Sequence, residues 1–345
     1  MTPQQKERYM RRCFQLARLG EGRVAPNPMV GCVIAVGDEV LAEGYHRQFG
    51  GPHAEVNALG SLSANGRSRL AEATVFVNLE PCSHYGKTPP CADRLIAEGV
   101  KRVVVCNTDP NPQVSGRGLQ KLRDASVEVE AGLLEEEGWQ LNRRFFTYHE
   151  LKRPYITLKW AETADGFLDA HGEKPLRISS DLTKALVHKL RASEQAILVG
   201  TRTLLKDNPT LHTRRYFGAP LLRLAIDRNA QVPSDYHFMD ESQPTCIFNA
   251  QRQDDPIWVK LDFEGNVVRQ ILDFLYQRQV QSLIVEGGAV TLRHFIGQGL
   301  YDAVQIEVGT AVCEVGTKAP DIALGEGLRE VEYEGHRMIT FQRVR

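Results

Sequence analysis

Residues 74–82 read Thr74-Val75-Phe76-Val77-Asn78-Leu79-Glu80-Pro81-Cys82. A short apolar run rich in β-branched residues and closed by proline predicts a buried strand over 74–79. That strand delivers Cys82 just past its C-terminal end. Downstream stands Cys91, and upstream stands His53-Ala54-Glu55. One imidazole, two thiolates and a spare carboxylate are the ligand set of a catalytic zinc site, with three protein ligands and a fourth position left for water. Zinc draws the pKa of bound water down to about 7. A carboxylate two residues after the ligand histidine can then move protons without binding metal. His53, Cys82 and Cys91 are therefore expected to hold Zn2+, with Glu55 as the catalytic acid and base.

Around this core the pattern alternates. Met10, Cys13, Phe14 and Ala17 predict an amphipathic helix over 8–19. A loop follows over 22–31. Strands are expected at 30–36 and 40–45 about a Gly37-Asp38 turn, then a helix at 54–63, the strand at 74–79, a helix at 91–98 and a strand at 101–106. A helix over 133–150 leaves this first domain, and Lys152-Arg153-Pro154 marks the boundary, giving domains 1–150 and 151–345. The second half predicts strands at 155–160, 195–199, 221–227, 245–248, 282–286 and 303–308, with helices at 180–191, 266–279 and 289–298. Both halves are α/β layered domains.

The bulk numbers agree with a soluble two-domain enzyme. The chain has 345 residues, 42% hydrophobic and 25% charged, with formal net charge −1. Residues 1–150 carry equal numbers of basic and acidic side chains, so no basic body invites nucleic acid. Seven cysteines in no disulfide rhythm suit a reducing compartment. The N-terminus lacks an apolar signal core, and no apolar run reaches a membrane span. A cytoplasmic protein is expected, with neither nucleic-acid nor membrane partner. Cys13, Cys32, Cys106, Cys246 and Cys313 are expected as small core hydrophobes. Glu80 is expected to hydrogen-bond near the site without touching metal.

Zinc nucleobase deaminases carry H-x-E followed by P-C-x-x-C. Here the second cysteine is delayed by a loop containing His84, Lys87 and Thr88. Lys87 can meet a phosphate as a point charge, and Asn27, fixed between Pro26 and Pro28, suits recognition of base or ribose groups. Four segments carry a closer likeness: Pro26-Asn27-Pro28-Met29-Val30-Gly31, Gly51-Pro52-His53-Ala54-Glu55, Leu79-Glu80-Pro81-Cys82-Ser83-His84 with Thr88-Pro89-Pro90-Cys91, and Asp109-Pro110-Asn111-Pro112. With its long cysteine spacing, the first half resembles the deaminase half of the bifunctional riboflavin-biosynthesis deaminase/reductase family. Lys87 stands where Arg is common there, and Asn78 where Thr is common.

The second half resembles that family's reductase. The likeness lies in Arg153-Pro154-Tyr155 with Leu158-Lys159, Asp165-Gly166, Leu190-Arg191-Ala192, Thr203 with Asp207-Asn208-Pro209, Leu211 with Arg214, and Val285-Glu286-Gly287-Gly288. The resemblance implies a cytidine-deaminase-like α/β/α domain followed by a dihydrofolate-reductase-like α/β domain. It places Ala161, Thr203, Asp207 and the Gly287-Gly288 loop against NADPH, and Arg191, Leu211, Arg214 and Glu286 against the phosphoribosyl substrate. In the residues themselves, Gly287-Gly288 after a buried strand lets backbone approach a phosphate. Arg177 takes the place of a family Trp over the cofactor and is expected there instead, by stacking or by meeting a phosphate. Asn27, His84 and Lys87 are expected to contact the deaminase substrate.

The activity so implied is zinc-dependent deamination of a phosphoribosylaminopyrimidine, then NADPH reduction of its ribose to a ribityl chain, in a homo-oligomer. Two other readings are an active deaminase joined to a degraded reductase that only binds ligand, which the Arg177 departure motivates, and a non-catalytic zinc scaffold. The spare Glu55 argues against the scaffold, since structural zinc sites are closed by four ligands.

Overall fold

A computed structural model describes residues 1–84, 89–111, 115–172, 176–214, 216 and 218–343. The chain divides into two compact units, Met1–Lys152 and Arg153–Arg345. In the first, the elements run α1 Pro3–Arg18, β1 Gly31–Val36, β2 Glu39–Tyr45, α2 Ala54–Gly60, α3 Ala64–Ser68, β3 Thr74–Leu79, α4 Cys91–Ala97, β4 Arg102–Asn107, α5 Arg117–Asp124, β5 Glu128–Ala131, α6 Glu135–Leu141 and α7 Arg143–Leu151. The sheet order is β2-β1-β3-β4-β5. β3, β4 and β5 run parallel, and β1 is antiparallel to both its neighbours.

Strand period 2 sorts the core into two layers. Val75 and Val77 of β3 and Val103 and Val105 of β4 pack under α2, α4 and α5. Phe76, Val104 and Cys106 face the other way, against Met10, Cys13, Phe14 and Ala17 of α1. α1 starts at Pro3, earlier than the apolar period alone predicts. Thr2 and Gln5 form a reciprocal capping box that satisfies its first N–H groups. The expected helix over 133–150 is two helices that meet at Asn142, whose side chain is engaged elsewhere.

In the second unit the elements are β6 Tyr155–Glu162, β7 Phe167–Ala170, α8 Asp181–Ala192, β8 Ala196–Gly200, α9 Thr201–Asp207, β9 Leu222–Ile226, β10 Thr245–Asn249, β11 Trp258–Lys260, α10 Val267–Gln277, β12 Ser282–Val285, α11 Ala289–Gly297, β13 Ala303–Val308, β14 Gly316–Lys318, β15 Arg329–Tyr333 and β16 His336–Gln342. The large sheet has the order β11-β10-β9-β8-β12-β6-β13-β16-β15, and β14 pairs with β7. It is parallel from β11 to β13; β16 and β15 close the edge antiparallel. Ala196, Leu198, Leu283 and Val285 fill one face, while Ile197, Val199 and Ile284 fill the other. Both units are α/β, as the alternation predicts. Cys13, Cys32, Cys106 and Cys246 are buried, but Cys313 is only half-buried. It lies outside the core because its segment joins β13 to the small β14–β7 ribbon.

Two candidate active sites

The first site forms where β3 ends, the place where parallel sheets expose backbone to ligands. His53 is the N-cap of α2, Cys91 opens α4, and Cys82 lies just past β3. Nδ1 of His53 is 3.6 Å from Cys82 Sγ and 3.4 Å from Cys91 Sγ. The three donor atoms all lie within 4.8 Å of one another. Tetrahedral zinc with its usual Zn–N and Zn–S lengths needs an N···S edge of about 3.6 Å, and both His53–sulfur edges match it. The Cys91 N–H donates to Cys82 Sγ at 3.3 Å. Hydrogen bonding from the Cys91 thiol, then from His53, holds the Cys82 thiol below its usual range. The proton shared between the two sulfurs, with burial, pushes Cys91 up. His53 is raised by its hydrogen bond to Cys82.

Glu55 sits in the first turn of α2 and is 3% exposed. Burial raises its carboxyl above the ordinary value. A buried carboxyl beside a metal centre, free of the metal and easy to protonate, is suited to proton transfer.

Asn27 is half-buried, and its Nδ2 lies 3.1 Å from His46 Nε2. His46 Nδ1 lies 3.0 Å from Pro52 O. Since a carbonyl only accepts, Nδ1 carries the proton and Nε2 accepts from Asn27. The amide orientation of Asn27 follows, leaving its Oδ1 for another donor. His84 is exposed, and among the described residues it joins no metal-binding cluster. Lys87 lies outside the described residues.

Three side chains with no role in the sequence reading support this site. Asn78 accepts from Gly31 N at 2.7 Å and donates to Met29 O at 3.0 Å. Asn142 accepts from Met29 N at 2.8 Å and donates back to Met29 O at 2.9 Å. Both pin the loop that carries Asn27. Burial pushes Asp109 up to about 6, with Glu80 and Cys82 adding in the same direction. The Asp109-Pro110-Asn111-Pro112 stretch and Asn78 carry sequence signals, but neither signal points to a role.

The second site is a pocket of about 600 Å³ in the other unit. Thr203 and Asp207 of α9, Glu286, and Gly288 at the start of α11 all line it, as do Arg202, Arg293 and Lys206. Gly287 explains the close meeting of β8 and α11: a Cβ there would lie 2.4 Å from Val199 Cα and 2.5 Å from Gly200 N. Gly288 adopts φ 47°, a conformation costly for other residues. Arg191 grips Glu286 bidentately, at 2.6 and 3.1 Å, and its third nitrogen donates to His212 O at 3.3 Å. Burial pushes the Glu286 carboxyl up, but Arg191, Lys159 and His188 outweigh it and leave it below the usual range. Lys206 neutralises Asp169 at 2.6 and 2.7 Å. Lys159, in the Leu158-Lys159 motif, is buried on β6.

The expected residues do not all converge. Leu211 is buried beside His212, and Arg214 is exposed near it. Ala161 is half-buried on β6, paired in register with Glu307. None of these three lines the pocket. Arg177 also lies outside the lining: its side chain is 70% exposed and meets Asp181 at 3.4 Å. Its neighbour Leu176 does line the pocket. Ser179 donates to the fully buried Glu307 at 2.6 Å, and His336 Nδ1 lies 3.0 Å from the same carboxylate, which ties the 176–179 segment to β13.

Comparison with known proteins covers both units. Residues 3–107 match the cytidine and deoxycytidylate deaminase zinc-binding region, and residues 154–340 match the RibD C-terminal domain. The riboflavin biosynthesis protein RibD of Aquifex aeolicus is 36% identical over 96% of this chain and 97% of its own length. That of Escherichia coli is 34% identical over 95% and 93%. A solved Thermotoga maritima diaminohydroxyphosphoribosylaminopyrimidine deaminase/5-amino-6-(5-phosphoribosylamino)uracil reductase is 34% identical, with TM-score 0.88 and 99% of each chain covered. The likeness runs through both units, so neither a degraded reductase nor a zinc scaffold is favoured. With a deaminase zinc region on one unit and the reductase domain that uses NADPH on the other, this chain belongs to the RibD family of bifunctional riboflavin-biosynthesis enzymes.

Proposed function

We propose that residues 1–150 deaminate 2,5-diamino-6-(5-phosphoribosylamino)pyrimidin-4(3H)-one and that residues 151–345 reduce the product, 5-amino-6-(5-phosphoribosylamino)uracil, to its ribityl form. The observation that carries the first half is the cluster of His53, Cys82 and Cys91 donor atoms within 4.8 Å, with buried Glu55 in the same helical turn as His53. Zinc, when bound, supplies a water acidic enough to attack at neutral pH. Glu55 would take the proton of the attacking water as it adds to C2 of the ring. It would pass that proton to the ring nitrogen, then carry the proton of the new C2 hydroxyl to the amino group, which leaves as ammonia as the C2–N bond breaks and C2=O forms. Asn27, oriented by His46, offers Oδ1 to a donor on the substrate. We assign His84 and Lys87 polar contacts with the substrate.

In the reductase half, bound NADPH would supply hydride to C1′ of the ribose, whose C1′–O4′ ring bond opens as O4′ takes a proton from solvent, leaving the ribityl chain. Thr203, Asp207, Gly287 and Gly288 hold the cofactor. Ala161 and the 176–179 segment border its nicotinamide end. Arg202 and Arg293, whose charge is not taken up by Asp169 or Glu286, face its phosphates. Arg191, Leu211, Arg214 and Glu286 hold the phosphoribosyl chain. What supports this reading is the convergence of Thr203, Asp207, Glu286 and Gly288 on one pocket. Among the described residues no helix is long and apolar enough to cross a membrane. We place the enzyme in the cytoplasm, as a homo-oligomer.

The test is an anaerobic assay on the diaminopyrimidine substrate with zinc-loaded protein, following ammonia and NADPH together. Ammonia matched by NADPH loss is expected. Glu55→Gln should lower ammonia release roughly 10²- to 10⁴-fold while leaving reduction of supplied aminouracil unchanged. Ammonia without NADPH loss would sink the reductase assignment.

A further inference from the structure

Glu80 stands between β3 and Cys82, 4% exposed. Its two oxygens meet four backbone N–H groups. Oε2 accepts from Asp109 at 3.2 Å and Gly116 at 2.9 Å; Oε1 accepts from Gly118 at 2.8 Å and Leu119 at 3.2 Å. All four donors belong to the stretch that runs from β4 into α5. Gly116, the N-cap of α5, has no side chain to cap the helix, so Glu80 supplies the missing acceptor from across the fold. The same stretch presses on the neighbouring peptide: a Cβ on Gly118 would lie 2.0 Å from Pro81 O. Glu80 N donates to Asn107 O at 2.9 Å, and Ala92 N donates to Cys82 O at 3.2 Å. The peptide that presents Cys82 is thus fastened on both sides of its sulfur.

We infer that Glu80 is a positioning residue of the metal centre: its carboxylate, holding four N–H groups of residues 109–119, fixes the Pro81–Cys82 peptide so that Cys82 Sγ meets His53 and Cys91 at zinc-binding distance. This rests on the reading of His53, Cys82 and Cys91 as ligands. The role demands a group that only accepts. Glutamine has nearly the same shape, but whichever way its amide turns, its NH2 faces two N–H donors, either Asp109 and Gly116 or Gly118 and Leu119. Aspartate keeps two accepting oxygens but sits one methylene further back.

The experiment is a Zn2+ affinity measurement by chelator competition on the full chain, for wild type, Glu80→Gln and Glu80→Asp. The thiolate-to-metal absorption of the Co2+-loaded proteins is recorded alongside. Glu80→Gln should bind zinc roughly 10- to 100-fold more weakly, as loss of a group orienting a ligand does, and its Co2+ thiolate band should shift. Glu80→Asp should fall between it and wild type. Reduction of supplied aminouracil should stay unchanged in both, which reports that the second unit is intact. A Glu80 that only stabilised the fold would lower the melting temperature without moving zinc affinity or the Co2+ band, and that result overturns the inference. If Glu80→Gln does not fold, wild-type affinity in Glu80→Asp overturns it equally. A wild type that takes up no zinc would overturn the ligand reading and this inference with it.

Discussion

Cys82 and Cys106 are the same residue put to opposite uses. Burial pushes the Cys106 thiol up to about 12, where it is inert packing. Cys82, hydrogen-bonded by the Cys91 thiol and His53, is held below its usual range, the direction that suits the metal ligand proposed for it. Cys91→Ser should therefore strip most zinc, read by elemental analysis, while Cys106→Ser should leave it bound. In the other site, Glu286 and Arg191 form a bidentate pair with both side chains nearly buried. Glu286→Ala leaves a guanidinium without its partner, which should cost about 3–5 kcal/mol of stability in that unit. Thermal unfolding would show it, and Arg191→Lys should not match wild type, because one ammonium cannot reproduce the fork. At this scale the zinc ligands and Glu55 were legible because their chemistry demands those residue types in that order. His46, Asn78 and Asn142 were not, since a lone polar side chain that orients a distant loop leaves no spacing to read.

Elements carry their own tests. The start of α11 closes on β8 only because Gly287 lacks a Cβ. Gly287→Ala must push the two apart, and a displacement near 1 Å at a cofactor site costs on the order of 10²-fold in kcat/KM. Steady-state reduction kinetics with varied NADPH would check this. The turn before β7 depends on Asp165, which accepts from Thr163 Oγ1 at 2.6 Å and from Cys313 N and Glu314 N. Hydrogen bonding from Thr163, with those two N–H groups adding, lowers its carboxyl to about 2. A depressed carboxylate stabilises the fold above its unfolded value of about 3.9 and loses that contribution as pH falls towards 2. The stability gap between wild type and Asp165→Asn should therefore be widest above pH 4 and close on acidification, as denaturant titrations at each pH would report. Long apolar strands and α8, α10 and α11 were legible from periodicity. The exposed strands β5 and β15 offer no apolar run, and β7, β11 and β14 are only three or four residues long. β16 alternates buried and exposed residues along part of its length, a period-2 signal in the sequence.

For the whole molecule, the two units have separate cores and separate chemistry. A chelator should abolish ammonia release and leave NADPH oxidation on supplied aminouracil intact; zinc should restore the first. Loss of both activities on chelation would mean that the metal serves the second unit as well. The order of the two units was readable because each announces itself by a motif at a strand end. The placement of Arg177 was not, because a substitution in a loop says which residue is present and nothing of where it turns.

Asn142 bears on where this chain can be divided. All the zinc ligands and Glu55 come before residue 92, and the five-stranded sheet is complete at Ala131. A first piece ended there would look self-sufficient on both counts. It would nevertheless discard Asn142, which, alone among the described residues, grips Met29 by its side chain through both the N–H and the carbonyl, and so anchors the Asn27 loop alongside Asn78. Such a piece should still take up zinc yet bind pyrimidine poorly. If Asn27 binds the substrate as proposed, the helices that follow the sheet belong to the recognition apparatus, and a dissection that respects function must run to Lys152.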